Sequence, residues 1–433
     1  MTVTTYDEIF KRLVKASYND NLEQEIREIE ASGNEATKKY VYYALGNGEQ
    51  DKVVFQINDC KGECTGEKHN CETSCIFNAI VRDMEGKVVI QDRSCVHCGH
   101  CIDTCSLNNL IDKKEFIPLI DLLRKKEAAV YAIVAPAIIG QFGDRVTMGQ
   151  LRAAFKRLGF YGMVEVALFA DILSLKEALE FDRAVNSEED FVLTSCCCPI
   201  WVGMVKRVYN QLIPHIQPSV SPMVACGRGI KRLHPEAKVV FIGPCIAKKA
   251  EAKEADIKDA IDAVLTFEEV KQIFEATGVN PEDMEDITSG HSSSAGRIYA
   301  RTGGVSKAIS DTLDQLRPDK PIKIKAVQAE GIQECKEILR SINQGDIKAN
   351  FYEGMGCVGG CVGGPKALLK SELGTLHVNT YGLLADARTP LNNPYIQELL
   401  DRLDIKDVND LLEGESAAIF QRQFDLQSRH ESK

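Results

Sequence analysis

The densest group of chemically active residues is a run of four cysteines with the spacing C-x2-C-x2-C-x3-C. Its members are Cys95, Cys98, Cys101 and Cys105. This spacing wraps three thiolates around one corner of an iron–sulfur cubane and sends the fourth thiolate to a neighbouring cluster. A proline often follows the fourth cysteine, and Ser106 stands there instead, which changes no ligand. The run therefore predicts a 4Fe-4S centre.

A second quartet upstream predicts a second centre. Its members are Cys60, Cys64, Cys71 and Cys75. Pseudo-symmetry between the two quartets predicts crossed ligation, as in two-cluster ferredoxins. One cluster would then be bound by Cys60, Cys64, Cys71 and Cys105, and the other by Cys75, Cys95, Cys98 and Cys101. Four thiolates also suit tetrahedral zinc, but zinc ligands usually come as two separated C-x2-C pairs, so two 4Fe-4S clusters are the better interpretation.

Three adjacent cysteines, Cys196 to Cys198, stand directly before a proline in the segment TSCCCPIW. Pro199 suits the first turn of a helix and pushes Cys198 into an extended conformation. The start of a helix favours thiolate over thiol, so these cysteines are suited to be metal ligands or acids. Neighbouring side chains of an extended segment point to opposite sides. One cysteine can then bind a metal cluster while the adjacent thiol donates protons.

The elements that must position these thiols are strands that alternate with helices. Short β-branched runs at 239–244 and 322–330 are separated by helical stretches such as 151–158 and 331–343. This alternation predicts an α/β layer fold. Glycine concentrates in GMGCVGGCVGGP, which indicates backbone that comes close to a bulky group. We expect a helical segment at 1–50, a cysteine-rich module at 51–120, the α/β part at 121–395 and an amphipathic helical tail at 396–433.

Composition excludes several classes of function. The chain has 433 residues, enough for two or more domains, and 52 Lys and Arg against 63 Asp and Glu give a net charge of −11. This charge opposes binding to nucleic acids and to anionic membrane surfaces. The longest apolar run, 128–140, is too short to span a membrane and is broken by Pro136. The first residues do not resemble a secretory signal, and 16 cysteines without one favour metal over disulfides. We therefore expect a cytoplasmic protein.

Three segments taken together resemble the signature motifs of the iron-iron (FeFe) hydrogenases, in the same order. These segments are TSCCCPIW, PCIAKKAE and EGMGCVGGCVGGP. The segments VAPAI and SAGRIYARTGGV, together with the cysteine-rich module, are also similar to that family. The triple cysteine resembles a less common subgroup. The resemblance implies an α/β catalytic domain, with layers around a buried cluster, that follows an α+β ferredoxin-like domain with two 4Fe-4S clusters.

The resemblance also implies the cofactor called the H-cluster, a 4Fe-4S cubane joined to a two-iron unit with carbon monoxide, cyanide and azadithiolate ligands. The implied cubane ligands are Cys198, Cys245, Cys357 and Cys361, and Cys361 bridges to the two-iron unit. Lys248 would meet a cyanide, Met355 would cover the two-iron unit, and Pro136 and Ala137 would lie near the cyanides. Cys197 would be the proton-relay thiol. A register shifted by one, with Cys197 as ligand and Cys196 as relay, stays open.

The implied proton path runs from solvent through Glu180 and Glu177 to Cys197. The two carboxylates are three residues apart and lie on one helix face, where such a pair usually marks a wet surface. Three positions depart from the family pattern. Gln217 stands where the family usually has a serine of the proton path, Gly243 replaces a methionine, and Ala137 replaces a serine.

The implied function is reversible hydrogen chemistry, with electrons exchanged with a ferredoxin-type carrier and the cofactor installed by maturation proteins. Two alternatives use the same fold. One is an iron–sulfur assembly or scaffold protein, which would lack the paired thiol before the proline. The other is a hydrogen sensor.

Overall fold

The amino-terminal part is a cluster of three helices. The computed structural model describes residues 5–49, 52–60, 64, 70–194, 197–287 and 289–424. The helices are α1 (Tyr6–Tyr18), α2 (Leu22–Ser32) and α3 (Glu35–Ala44). Thr5 and Glu8 form a capping box that starts α1, and the helix buries Ile9, Phe10 and Leu13 at 0% exposure. The helices are thus joined to the rest of the molecule through a continuous apolar core.

The cysteine-rich segment contains two short antiparallel strand pairs and two short helices. Its elements are β1 (Val54–Gln56), α4 (Asn70–Ser74), β2 (Ile80–Arg82), β3 (Val88–Ile90), α5 (His100–Asp103) and β4 (Leu110–Asp112). Strand β1 pairs with β4, and β2 pairs with β3. The first strand of the segment therefore pairs with the last one, which brings the two cysteine quartets next to each other.

The core of the larger part is a four-stranded parallel sheet in the order β6-β5-β8-β9. The strands are β5 (Val130–Val134), β6 (Gly162–Glu165), β8 (Lys238–Gly243) and β9 (Ala263–Thr266). The helices of this region are α6 (Ile117–Lys125), α7 (Met148–Arg157), α8 (Ala167–Ala184), α9 (Pro199–Arg207), α10 (Pro222–Leu233), α11 (Ala247–Glu251) and α12 (Phe267–Thr277). Parallel strands joined by helices confirm the predicted α/β class.

A second parallel sheet has the order β10-β11-β7. Its strands are β7 (Val192–Leu193), β10 (Ala326–Glu330) and β11 (Phe351–Met355). The remaining helices are α13 (Ser294–Arg297), α14 (Gly304–Leu316), α15 (Gly331–Asn343), α16 (Ser371–Leu383) and α17 (Pro394–Arg402). Cys245 follows β8, Cys198 follows β7 and Cys357 follows β11. The carboxyl ends of parallel strands are where α/β folds build their sites, so three signature motifs start from equivalent places in the two sheets.

The carboxyl-terminal tail differs from the predicted amphipathic helix. Helix α17 ends at Arg402 and is followed by two 3-10 turns, Val408–Leu411 and Ser416–Phe420. Gly414, with φ of 96°, separates the two turns, and the tail buries Leu411 and Phe420 at 0% exposure. Helices α6 and α17 run across the predicted boundaries at 120 and 395. Among the described residues, no helix has the length and apolar content needed to cross a membrane.

Candidate metal centre

The first signature segment is held by the start of helix α9. Cys198 is the residue before the helix, with an extended backbone (φ −105°, ψ 108°), and Pro199 is the first helical residue. This confirms the helix start that the proline predicted. The Cys198 Sγ accepts a hydrogen bond of 3.2 Å from the backbone N–H of Gly356. Trp201, one turn into the helix, donates its indole N–H to the carbonyl of Thr194 at 2.9 Å.

The structure brings together the thiols of four cysteines from three distant segments, and Cys197 lies with them. Burial, followed by the charge of Cys198, raises the pKa of Cys245 to about 12. Burial and the charges of Cys245, Cys198 and Cys361 raise the pKa of Cys357. The pKa of Cys361 is raised by burial, then by Cys197, Cys198 and Cys245. These mutual influences indicate that the thiols lie near one another in the interior of the protein. Ser195 and Cys196 lie outside the described residues, so both registers stay open.

Two glycines allow the third signature segment to approach its neighbours closely. A Cβ on Gly354 would lie 1.9 Å from the ring of Trp201, so no other residue fits between β11 and α9. Gly360 has φ of 83°, and a Cβ there would lie 2.7 Å from the sulfur of Met355 and from the backbone N of Thr302. The glycine-rich segment therefore approaches bulky neighbours as predicted, and these neighbours include protein side chains.

Lys248 lies beside the thiols, and its partner was missed by the sequence reasoning. Its ammonium pairs with the carboxylate of Glu251 at 2.6 Å, and both side chains are buried. Burial alone would lower the pKa of Lys248, but Glu251, Cys245 and Cys361 raise it above the usual value. The lysine is thus held as a cation next to the cysteines. The (i, i+3) spacing within PCIAKKAE was the available signal for the pair.

The other predicted cofactor neighbours lie close to strand ends. Met355 is the last residue of β11 and is 1% exposed, and its carbonyl accepts a weak hydrogen bond from the thiol of Cys335 at 3.4 Å. Pro136 and Ala137 form a 3-10 turn directly after β5, and Ala137 is 0% exposed. Both segments therefore present buried, apolar surface at the same ends of strands as the cysteines.

The two carboxylates of the predicted proton path lie in the interior and not on a wet surface. Glu177 is 0% exposed, and the side chain of Glu180 is 10% exposed. Glu180 pairs with Lys176 and accepts a hydrogen bond of 2.9 Å from the hydroxyl of Ser219. Gln217, which the sequence places at the family's serine position, makes no such bond to Glu180. The serine next to the path carboxylate is therefore Ser219, two residues further on, and neither Ser219 nor Lys176 was identified from the sequence.

The cysteines of the amino-terminal module influence one another both within and between the two groups of the crossed pattern, which stays a prediction. Burial and the charges of Cys105, Cys64, Glu72 and Cys60 raise the pKa of Cys71 to about 11. The pKa of Cys101 is raised by burial and then by Cys98, Cys95, Cys75 and, to the smallest extent, Cys71 of the first group. We call the first group (Cys60, Cys64, Cys71 and Cys105) the outer quartet and the second (Cys75, Cys95, Cys98 and Cys101) the inner quartet.

The inner quartet adjoins the thiols of the larger part. Cys98 contributes to the raised pKa of Cys357. A cavity of about 400 Å³ is lined by cysteines of the inner quartet and by Cys357. Within the described part of the chain, no three His, Cys, Asp or Glu side chains converge on a position for a single metal ion. The donors present, soft thiolates in three groups of four with an extra thiol beside one group, are those that iron–sulfur clusters use.

The thiols of the larger part lie in a region that matches a known protein family. The sequence profile of the family described as iron only hydrogenase large subunit, C-terminal domain, matches residues 128–365. The chain belongs to this family. In this hydrogenase-domain protein, the matched region extends from the first strand of the four-stranded sheet to the end of the glycine-rich segment.

Its relatives include both hydrogenases and assembly proteins. The chain is 24% identical to the NADP-reducing hydrogenase subunit HndD of Solidesulfovibrio fructosivorans, over 77% of this chain and 69% of that protein. It is 23% identical to the cytosolic iron-sulfur assembly component 3 of Pongo abelii, over 81% of this chain and 84% of that protein. The solved structure of a variant of the [FeFe]-hydrogenase HydA1 from Chlamydomonas reinhardtii superposes with a TM-score of 0.54 at 20% identity, covering 70% of this chain and 97% of that chain. The hydrogenase fold is therefore established.

Proposed function

We propose that the protein is an iron-iron hydrogenase that interconverts dihydrogen with two protons and two electrons. The observation that supports this proposal is the convergence of Cys197 with Cys198, Cys245, Cys357 and Cys361. A cubane needs four thiolates, and a fifth thiol beside them is what proton delivery to an attached two-iron unit requires.

The residues present fit an H-cluster. Cys198, Cys245, Cys357 and Cys361 would bind the cubane. Lys248 is a buried cation suited to an anionic diatomic ligand, and Met355 and Ala137 supply apolar surface that excludes water. When bound, the cofactor supplies the iron site at which protons and electrons combine, and the protein supplies ligands and a dry pocket. Cys197 would hold the proton at its sulfur before and after transfer.

Protons would reach Cys197 through two carboxylates on helix α8. Glu180 lies nearer the surface, where it lines a cavity of about 450 Å³, and Glu177 is fully buried three residues earlier. Each carboxylate can take a proton at one oxygen and release it from the same group, so the pair can relay protons without moving the backbone.

Electrons would pass through two 4Fe-4S clusters bound by the outer and the inner quartets. The influence of Cys98 on Cys357 supports a short step from the inner cluster to the cubane. The external carrier would be a ferredoxin-type protein, and maturation proteins would install the two-iron unit. We place the protein in the cytoplasm, although one relative, 27% identical, is the large subunit of a periplasmic [Fe] hydrogenase from Nitratidesulfovibrio vulgaris.

A role in iron–sulfur assembly is the second candidate, because the assembly component of Pongo abelii aligns over most of both chains. The two proposals differ in the two-iron unit. The buried thiol of Cys197 and the buried carboxylates on α8 favour hydrogen chemistry, since a scaffold for a cubane alone has no need of a proton path.

Infrared spectroscopy of anaerobically matured protein tests the proposal. We expect bands of metal-bound carbon monoxide and cyanide, and their absence at full iron loading would support the assembly role. Cys197→Ser should keep these bands and reduce turnover strongly. Cys226→Ser is the matched control, because Cys226 is fully buried in helix α10 and is not among the signature thiols. If Cys196→Ser reduces turnover instead, the register with Cys197 as ligand is the correct one.

A further inference from the structure

Lys176 is a buried lysine on the same helix as the two path carboxylates. It is 0% exposed and belongs to α8. Its ammonium pairs with Glu180, one turn further along, and donates a hydrogen bond of 2.8 Å to the hydroxyl of Ser219. The same hydroxyl donates to the other oxygen of Glu180 at 2.9 Å. Lys176, Ser219 and Glu180 thus form a closed ring of contacts, which we call the lysine triad.

The lysine triad reaches a surface cavity through Glu180, which is the member of the triad that lines it. Glu180 and Gln217 line this cavity of about 450 Å³ together with His215. Gln217 is 4% exposed, and neither its amide oxygen nor its amide nitrogen has a hydrogen-bond partner among the described residues. A buried amide in this situation is normally bonded to water. The cavity therefore has the polar lining that admits water up to the carboxylate of Glu180.

Two other charged groups around this cavity have partners of their own. Arg183 pairs with Glu413 at 2.5 Å, and Asp190 accepts two backbone N–H groups of its own loop. Glu189 and His215 also line the cavity, and Glu177 lies inward on the same helix. The pKa of Glu180 lies above the ordinary glutamate value, because burial raises it by more than Lys176 and then Ser219 lower it. Among these groups, Lys176 has the largest influence on the charge of Glu180.

We propose that Lys176 is a positioning residue for proton transfer, which keeps the Glu180 carboxylate ionised and oriented as the solvent-side proton acceptor. This inference rests on the proposed hydrogenase function. A proton from cavity water binds to an oxygen of Glu180, and the triad changes from neutral to a single positive charge. When Glu180 passes its proton inward, towards Glu177, the carboxylate is restored and pairs again with Lys176. The ammonium keeps its own protons throughout, and no electrons move.

The direct test is the protonation of Glu180 in the holoprotein. The carboxylic-acid C=O band of Glu180 can be assigned by comparison with Glu180→Gln and followed by infrared spectroscopy as a function of pH. In Lys176→Met, the midpoint should move up by about one to three pH units, because an opposite charge at contact distance is lost. Ser219→Ala keeps the ion pair and should give a smaller shift in the same direction. This second variant keeps the test informative if Lys176→Met does not fold.

The matched control is Lys320→Met. Lys320 pairs with Asp182 on the same helix at 3.2 Å, but neither residue lines the cavity of Glu180. This variant should leave the Glu180 midpoint unchanged. The pH at which the rates of dihydrogen release and uptake change should rise together with the Glu180 midpoint in Lys176→Met. In the control, this pH should stay the same.

The outcomes separate this inference from the proposed function. Carbon monoxide and cyanide bands with an unshifted Glu180 midpoint in both Lys176→Met and Ser219→Ala would overturn the role of Lys176 and leave the hydrogenase proposal intact. A shifted Glu180 midpoint with an unchanged pH dependence of the dihydrogen rates would also overturn the role of Lys176, because Glu180 would not then be on the proton path. Absence of these bands from matured wild-type protein would overturn the hydrogenase proposal and this inference with it.

Discussion

The substitution Glu269→Gln should destabilise the protein far more than an equivalent change two turns further along the same helix. Lys249 and Glu269 are both 0% exposed, and the Lys249 ammonium contacts the two carboxylate oxygens at 3.0 and 2.8 Å. Lys249 also donates to the backbone carbonyl of Lys113, and Glu269 accepts the N–H of Thr266 at 2.7 Å. The pair therefore connects the end of the cysteine-rich segment to helix α12.

The magnitude follows from burial. Removing one partner of a buried ion pair costs about 3–5 kcal/mol, and after Glu269→Gln the carboxylate of Asp112 would remain at the longer distance of 3.7 Å from the Lys249 ammonium. The control is Glu275→Gln on the same helix, because Glu275 pairs with Lys11 at 3.1 Å with side chains that are 46% and 38% exposed. Such a surface pair contributes about 0–1 kcal/mol.

Thermal unfolding of the two variants, followed by circular dichroism under anaerobic conditions, measures the difference. A change of 1 kcal/mol shifts Tm by about 2–4 °C in domains of 150–250 residues, so Glu269→Gln should lower Tm by about 6–20 °C and Glu275→Gln by no more than about 4 °C. The effect of Glu269→Gln should also persist in high salt, because a buried pair is poorly screened. Equal shifts in the two variants would refute the reasoning.

Three further outcomes are expected around the thiols. Gly354→Ala would place a Cβ 1.9 Å from the ring of Trp201 and should lower the free energy of unfolding by about 1–3 kcal/mol. Gly162→Ala is the control, because its Cβ would meet its nearest neighbour at 3.7 Å and should not lower this free energy. Calorimetry measures both variants. Cys105→Ser should reduce chelatable iron by about four atoms per chain. Lys248→Met should weaken the carbon monoxide and cyanide bands in infrared spectra at unchanged cubane iron.

The sequence predicted the parts of the site that depend on local rules. Pro199 fixes the start of α9 through its own backbone geometry, and the extended Cys198 follows from it. The assembly of the cysteines after β7, β8 and β11 also follows from a general property of parallel sheets, once an α/β fold is predicted. The register of the triple cysteine is not set by any such rule, because three adjacent cysteines have identical side chains and the spacing alone does not choose among them.

The surroundings of Glu180 depend on tertiary packing and could not be predicted. Helix α8 packs against α10, α13 and α14 and buries charged residues as well as apolar ones. From the sequence alone, Lys176 and Glu180 are an ordinary (i, i+4) pair, of the kind that usually faces solvent. Ser219 is 43 residues from Lys176 in the chain, and only the completed fold brings its hydroxyl into contact with both.

The buried charges on α8 bear on the choice between hydrogen chemistry and cluster assembly. The side chains of the ion pair Lys176–Glu180 are 0% and 10% exposed, and transfer of ionised groups from water to the interior costs several kcal/mol per group before pairing. Apolar residues of similar size would stabilise the same helix at least as well. A protein that only binds a cubane gains nothing from this arrangement, whereas a hydrogenase must conduct protons through its interior to a dry metal site. The proton path that we propose would explain a buried ion pair whose carboxylate, Glu180, lines a cavity, whereas the stability of the fold does not require one.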